Sequence, residues 1–239
     1  MRERYGIDAP GIVRMFGVLG MVLAVLSAAS FALTAAWWGA ALGTLLGLSA
    51  LTFLVQCGWM LYSSLVGKRR LWSRTLRGLR PRGDEKVLEV GPGRGAVLIT
   101  AARAVRAGHL VGVDIWRPQD QSGNGPEALL ANARAAGVAD RVGAIDGDMR
   151  KLPFPDDSFD LAMASLAIHN LPAGDRAGAV AELARVVRPG GRIVILDFQA
   201  TSTYAGRLRE TGTAEVQVSG RHWSMHPPVR IVTAALRPE

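Results

Sequence analysis

Charged residues are absent from a long stretch of this chain. Residues 15–67 form a run of 53 residues without a single Asp, Glu, Lys or Arg. A membrane-spanning helix needs about 20 predominantly apolar residues, so the run is long enough for two such helices. We therefore expect a transmembrane hairpin, with helices over 15–36 and 40–65 and a tight turn at 37–39. A buried or re-entrant segment is the alternative.

Cysteine is almost absent as well. The chain has one cysteine, Cys57, which falls inside the second predicted helix. A disulfide within the chain is therefore impossible, and this excludes a small scaffold held together by disulfides.

Positive charge is concentrated at one end of the chain. Residues 1–82 carry a net charge of +8, with ten basic and two acidic residues, whereas residues 83–239 have eighteen of each. Binding to nucleic-acid phosphates needs a basic face, so the neutral part argues against nucleic acid as a partner. Basic residues beside a span attract anionic lipid headgroups and mark the cytoplasmic side. We expect an integral protein of the cytoplasmic membrane, with both termini and the C-terminal domain in the cytoplasm.

Small residues recur along the second predicted helix. Gly39, Gly43 and Gly47 are four positions apart and therefore share one helix face, where another helix can approach closely. That face can pack against the first span or against a second copy of the chain in a homodimer.

The segment 68–82 predicts a basic amphipathic connector. Its arginines surround apolar residues that share one side of a helix, namely Leu71, Trp72, Leu76 and Leu79. Pro81 and Gly83 should end this helix. The chain thus divides into a tail and hairpin over 1–67, the connector over 68–82 and a globular domain over 83–239.

Strand and helix patterns alternate in the globular domain. Strands are predicted at 86–90, 109–114, 141–145, 159–166, 192–198, 215–219 and 229–235, and helices at 96–107, 126–136, 175–187 and 204–211. Such alternation implies a mostly parallel sheet covered on both faces. Only about nine residues separate the last two strands, which is too few for a crossover helix. We expect an α/β fold with a seven-stranded Rossmann-like sheet that ends in an antiparallel hairpin and is preceded by two transmembrane helices.

A glycine-rich turn follows the first predicted strand. The segment EVGPGRG at 89–95 places glycines at alternate positions, which lets the backbone turn sharply and approach a ligand closely. A helix that begins after such a turn directs free N–H groups toward that ligand. The pattern indicates a nucleoside-like cofactor.

With three further motifs in order, this turn resembles the class I S-adenosylmethionine-dependent methyltransferases, and most of all their quinone-biosynthesis C-methyltransferase branch. The further motifs are VGVDIW at 111–116, DGDMRKLPFPDDSFD at 146–160 and ELARVVRPGGRIVILDF at 182–198. The resemblance covers 83–239 and implies S-adenosylmethionine as cofactor and S-adenosylhomocysteine as product. An NAD-binding Rossmann fold is the alternative, because Gly91, Gly93 and Ala96 also fit its glycine spacing. Glu89, Asp148 and the antiparallel finish argue against NAD.

The resemblance implies roles for individual residues. Glu89 would hold the amino-acid end of the cofactor, and Asp114 would accept hydrogen bonds from both ribose hydroxyls. Ile115 would lie against the adenine, and Asp148 would accept its exocyclic amine. Either aspartate could instead only cap a helix. The remaining predicted cofactor contacts are Gly91, Gly93, Gly95, Met149 and Ser165.

His169 is the candidate general base. It follows the fourth predicted strand, at the sheet edge where open parallel sheets bind ligands, and its near-neutral intrinsic pKa suits proton abstraction. A histidine that only orders the loop is the alternative. The loop containing His222, Trp223 and His226 should reach the same edge as a wall of the acceptor pocket or as a merely packed loop. A metal site would need further ligands, and we predict none.

The acceptor is expected to be a hydrophobic small molecule or lipid in the membrane, since the cofactor domain begins within about 16 residues of a predicted span. Methylation of a membrane or peripheral protein is one alternative. A cofactor-binding sensor without catalysis is another.

Overall fold

The computed structural model describes residues 3–238. Two antiparallel helices come first, α1 (Pro10–Leu33) and α2 (Trp37–Tyr62). Both are long and apolar enough to cross a membrane, and most of their residues are not buried within the chain. The prediction that 37–39 form the turn is wrong, because residues 34–36 make the turn and Trp37 begins α2. The two indoles, of Trp37 and Trp38, nevertheless lie exposed at the tip of the hairpin.

The glycine face of α2 lies against α1. A Cβ atom added to Gly39 would lie 2.5 Å from the Thr34 Cβ, and one added to Gly43 would lie 2.7 Å from the Phe31 ring. The Ser27 hydroxyl, which a Cβ on Gly47 would meet at 3.0 Å, donates a hydrogen bond of 2.6 Å to the Gly43 carbonyl. Small residues therefore allow close contact between the two helices within one chain.

A π-helical turn, Ser63–Gly67, continues α2 directly into α3 (Lys68–Leu79). Arg80, in the left-handed conformation, ends this helix. The apolar side of α3 packs on the globular domain, where Leu71, Trp72 and Leu76 join the core cluster. The amphipathic stripe predicted for the connector thus covers the sheet and packs against the helix that follows the glycine turn.

The globular domain is a seven-stranded mixed sheet with strand order β3-β2-β1-β4-β5-β7-β6. The strands are β1 (Lys86–Val90), β2 (His109–Asp114), β3 (Val142–Asp146), β4 (Phe159–Ser165), β5 (Val187–Asp197), β6 (Glu215–Val218) and β7 (Arg230–Ala235). The first five strands run parallel, and β7 pairs antiparallel with both β5 and β6. The predicted sheet and its antiparallel finish are confirmed.

Besides α3, the helices that cover the sheet are α4 (Ala96–Ala104), α5 (Pro126–Ala135), α6 (Ala173–Val186) and α7 (Thr201–Glu210). One core cluster joins α3, α4 and α5 to the sheet, and the other joins α6 and α7 to it. The main difference from prediction is β5, which begins at Val187 and not at residue 192. Val187 pairs with Phe159, after which the register shifts, so the strand includes Gly190 and Gly191, which precede the predicted strand.

Candidate functional site

A cavity of about 240 Å³ opens at the carboxyl edge of the parallel strands. Glu89, Asp114 and Ser165 reach it from β1, β2 and β4, and Phe198 follows β5. Open α/β sheets bind their ligands at this edge, outside the ends of the strands. The sheet topology therefore brings together residues that are more than a hundred positions apart.

The glycine turn between β1 and α4 forms the floor of the cavity. Gly91 and Gly93 have φ angles of +66° and +53°, in the left-handed region that favours glycine. A Cβ added to Gly91 would lie 2.4 Å from the Ala167 Cβ, and one on Gly93 would lie 2.4 Å from the Gln121 Oε1. Gly95 lies behind the turn, at the N-cap of α4. Two of the three predicted glycines thus line the site, and the third shapes the turn.

Glu89 is the most buried acid of this cavity, with 1% of its surface exposed. Burial raises its pKa from 4.5 to about 8, although the nearby Lys68 ammonium opposes this rise. Its Oε2 atom accepts no hydrogen bond from the residues that the structure describes. A buried oxygen without a partner at a ligand cavity fits the ammonium group of an amino-acid moiety.

Asp114 ends β2 with both carboxylate oxygens held by the backbone. Oδ2 accepts a hydrogen bond of 3.1 Å from the Gly93 amide, and Oδ1 accepts one of 2.9 Å from the Trp116 amide. Burial raises the pKa of this carboxyl group. Each oxygen keeps a lone pair for a further hydrogen bond, which fits a pair of ribose hydroxyls. Ile115 lies beside it on the cavity wall, partly exposed.

Of the residues Asp148 and Met149, which were predicted to lie near the adenine, only Met149 lines the cavity. Met149 lines the cavity, whereas the Asp148 carboxylate turns to the Arg150 guanidinium, which donates hydrogen bonds of 2.6 and 2.9 Å to Asp148 Oδ2. Arg150 also lowers the pKa of Asp148. Contact of Asp148 with an exocyclic amine stays a prediction.

His169 faces the cavity from a short 3₁₀ turn after β4. Its Nδ1 lies 2.9 Å from Oδ1 of the fully buried Asp197, whose Oδ2 accepts a hydrogen bond of 3.3 Å from the Tyr204 hydroxyl. The Phe198 ring packs against the imidazole at 4.5 Å. The sequence reasoning missed Asp197, although an acid at the end of an apolar strand was a usable signal.

Ser165 connects the cavity to α3. Its hydroxyl accepts a hydrogen bond of 2.9 Å from the Trp72 indole, and both residues are buried. A hydrogen bond from α3 therefore holds a residue that lines the cavity, in addition to the pairing of the strands.

The N-terminal part of the chain supplies cavity residues that the sequence reasoning missed, namely Asp8, Met60, Ser63, Ser64 and Lys68. The Asp8 amide donates to the Ser64 hydroxyl, and the Gln121 amide group donates 3.0 Å to Asp8 Oδ1. The only available signal was position: Asp8 precedes the uncharged run and Lys68 is the first charge after it.

The loop between β6 and β7 contributes in part. His226 and Pro227 line the cavity, and the His226 amide donates 3.1 Å to the Ser63 hydroxyl. His222 instead bonds to the Ser219 hydroxyl, and the exposed Trp223 stacks on Trp59 at 6.3 Å. Among residues 3–238 there is no group of three or more His, Cys, Asp or Glu side chains that could hold a metal ion.

Comparison with known proteins gives consistent matches. Residues 88–195 match the family model described as a methyltransferase domain. A ubiquinone/menaquinone biosynthesis C-methyltransferase of Roseobacter denitrificans is 33% identical over 134 residues, 56% of this chain and 50% of that protein. A 27-O-demethylrifamycin SV methyltransferase of Amycolatopsis mediterranei is 35% identical over 150 residues, 60% of this chain and 52% of that protein. The chain spans about half the length of the curated relatives it matches.

Solved structures share the fold. A SAM-dependent methyltransferase from Aquifex aeolicus superposes with a TM-score of 0.54 at 18% identity, over 69% of this chain and 89% of that one. A geranyl diphosphate methyltransferase gives 0.57 at 14% identity, over 70% of this chain and 78% of the other.

Fold, glycine turn and family match agree with one another. The globular domain contains a methyltransferase domain over 88–195 and has the fold of a solved S-adenosylmethionine-dependent methyltransferase, as its motifs indicated. Its cofactor is S-adenosylmethionine, and the NAD alternative is wrong. The residues present fit this cofactor, because the unpartnered Glu89 oxygen and the backbone cradle at Gly91 and Gly93 leave room for its charged end.

Proposed function

We propose that this protein is a membrane-anchored methyltransferase that acts on a hydrophobic small molecule or lipid in the bilayer. One observation carries the proposal: the end of the apolar hairpin forms part of the cofactor cavity. The cavity that Glu89 and His169 line is also lined by Met60 of α2 and by Ser63 and Ser64 of the π-helical turn. A hydrophobic molecule leaving the bilayer along α2 would therefore arrive at the cavity.

The surface of the hairpin supports the anchor. Large apolar side chains on α1 and α2 point outward, including Val25, Leu33, Leu45 and Leu51. Monomeric soluble proteins rarely expose so large a contiguous apolar surface. The arginines of α3 lie beside the domain end of the hairpin, where they would meet anionic headgroups of the cytoplasmic leaflet. Both termini and the domain would then lie in the cytoplasm.

The chemistry would depend on alignment and proton removal. S-adenosylmethionine supplies an electrophilic methyl group when bound. Glu89 would hold its amino-acid end and Asp114 its ribose, so that the methyl group meets the acceptor in line. Oδ1 of Asp197 lies 2.9 Å from Nδ1 of His169. This carboxylate would favour a proton on Nδ1, and Nε2 would then be free to take a proton from an acceptor hydroxyl or an acidic carbon.

The names of the relatives support an organic small-molecule acceptor. One is named for ubiquinone/menaquinone biosynthesis and another for a demethylrifamycin. A quinone-like, isoprenoid or phospholipid acceptor would suit the approach past Met60 and Phe198.

The test is transfer of isotope-labelled methyl groups from S-adenosylmethionine in membranes that contain the full-length protein. Label should appear in the lipid extract. It should disappear with Asp114→Ala, and it should fall about 10²- to 10⁴-fold with His169→Gln while cofactor binding persists. Label in a protein band would favour a membrane or peripheral protein as acceptor. Tight binding of cofactor without label in any fraction would favour a sensor.

A further inference from the structure

Lys68 is a buried cation beside the cofactor cavity. Its side chain is 7% exposed although it begins α3 directly after the π-helical turn. Burying an ammonium group is strongly unfavourable unless other groups compensate for the lost water. The position of Lys68 therefore calls for partners on the protein or on a ligand.

Asp8 is the partner that the chain itself provides. The Lys68 Nζ lies 2.5 Å from Asp8 Oδ2. Asp8 comes just before α1, so the two ends of the hairpin meet here, at the rim of the cavity. Hydrogen bonds to Ser64 and from Gln121 hold Asp8 in place. An ammonium group has three donors, so Lys68 keeps capacity for another acceptor.

Glu89 is a second acid near this ammonium group. Both residues line the cavity, and Lys68 is near enough to favour the ionised form of Glu89. The buried Oε2 of Glu89 has no partner among the described residues. The cavity thus contains an acidic and a basic side chain that influence each other, and the pair complements a group with one positive and one negative charge.

We propose that Lys68 binds the carboxylate of the amino-acid end of S-adenosylmethionine, while Glu89 takes its amino group. Asp8 is a positioning residue that holds Lys68. The segments that flank the hairpin thereby complete the cofactor site, and the domain over 83–239 alone lacks this contact. The proposal rests on the cofactor and not on the identity of the acceptor.

The experiment compares two ligands on the full-length protein in detergent. S-adenosylmethionine carries the carboxylate, and decarboxylated S-adenosylmethionine keeps the amino group but lacks the carboxylate. Calorimetry should show that the wild type prefers the first by about 10- to 100-fold, as expected for a charge-assisted hydrogen bond. In Lys68→Met this preference should shrink to about twofold or less, because only the affinity for the carboxylate-bearing ligand falls.

Two further variants complete the test. Arg70→Met is the control, because it removes an exposed basic residue from the same helix and should keep the full preference. Asp8→Asn removes the carboxylate that positions the Lys68 ammonium group and should give a preference between those of the wild type and Lys68→Met. A Lys68→Met protein that retains the preference would overturn the proposal. If that variant fails to fold, equal binding of both ligands by the wild type would overturn it too. A wild type that binds neither ligand would instead contradict the cofactor assignment.

Discussion

The hairpin and the sheet domain use apolar residues in opposite ways. In the sheet, large side chains such as Ile195 are fully buried between helices, while in the hairpin Leu51 is 58% exposed. The contact between α1 and α2 is made by small residues, among them Gly20, Ser27 and Gly43. The sheet domain buries most of its large hydrophobic side chains in its own core. The hairpin places them outward and therefore needs an apolar surrounding, which we propose is the bilayer.

The largest effect should come from the same substitution placed in both regions. Ile195→Lys puts an unpaired ammonium group in the sheet core and should cost about 4 kcal/mol or more, enough to abolish folding and cofactor binding. Leu51→Lys puts it on the outer face of α2, where it should cost about 2.5–3.5 kcal/mol only in a bilayer. We expect Leu51→Lys to bind cofactor normally in detergent but to be extracted more easily from membranes at alkaline pH.

The same two variants can also show that the hairpin and the sheet domain do not differ in this way. Loss of cofactor binding by Leu51→Lys in detergent, to the extent seen for Ile195→Lys, would mean that the outer face of α2 is a packed surface of the folded protein. Unchanged membrane retention would mean that Leu51 does not face lipid.

Glu89 is a buried acid inside the sheet domain, and its raised pKa leads to a second prediction. Because burial raises this pKa to about 8, the carboxyl group is mainly protonated in the free protein at pH 7. The cofactor ammonium should ionise it, so affinity should increase with pH until the cofactor's own amino group deprotonates at roughly pH 7.7–8. Glu89→Gln should lower affinity about 10- to 100-fold at pH 8 and remove this increase. Calorimetry in buffers of different ionisation enthalpy measures the proton released.

The contribution of Glu89 to the free energy of unfolding should decrease with pH, whereas cofactor affinity should increase. The folded pKa of Glu89 lies above its ordinary value of 4.5, so the folded state holds more protons between pH 4.5 and about 8. Its contribution to stability is complete below pH 4.5 and is lost as pH increases through 8. Without cofactor, Glu89→Gln should therefore gain stability over the wild type as pH increases, in urea unfolding. Equal pH dependence of both proteins would contradict the raised pKa.

Sequence patterns predicted the two regions but not their junction. The missing charges located the hairpin, and the alternation of strands and helices located the sheet, because both signals are local. The contacts of Lys68 with Asp8 and of His169 with Asp197 were missed, since each joins residues that no periodicity connects. The apolar stripe of α3 was predicted, but such a stripe does not specify whether it faces lipid or the sheet domain. In the structure it faces the sheet domain, where the Trp72 indole donates a hydrogen bond to the Ser165 hydroxyl.

The smallest predicted effect concerns the junction between the hairpin and the sheet domain. Gly67 lies where the π-helical turn meets the loop between β6 and β7, and a Cβ there would lie 2.2 Å from the Ser224 carbonyl oxygen. Gly67→Ala should therefore lower the free energy of unfolding by about 1–3 kcal/mol, because backbone must move. Gly78, in α3, has no atom within 4 Å of an added Cβ. Gly78→Ala should instead raise that free energy by about 0.5–1 kcal/mol, the helix preference of alanine over glycine.

Unfolding of both variants in urea, followed by tryptophan fluorescence in detergent, separates two views of the anchor. If the hairpin were a passive tether, the end of α2 would not press on the β6–β7 loop, and Gly67→Ala would be as stabilising as Gly78→Ala. Opposite signs for the two alanines would show that the loop bearing His226 is seated directly on the hairpin. Since His226 and Met60 line one cavity, the geometry of that cavity would then depend on the position of the hairpin.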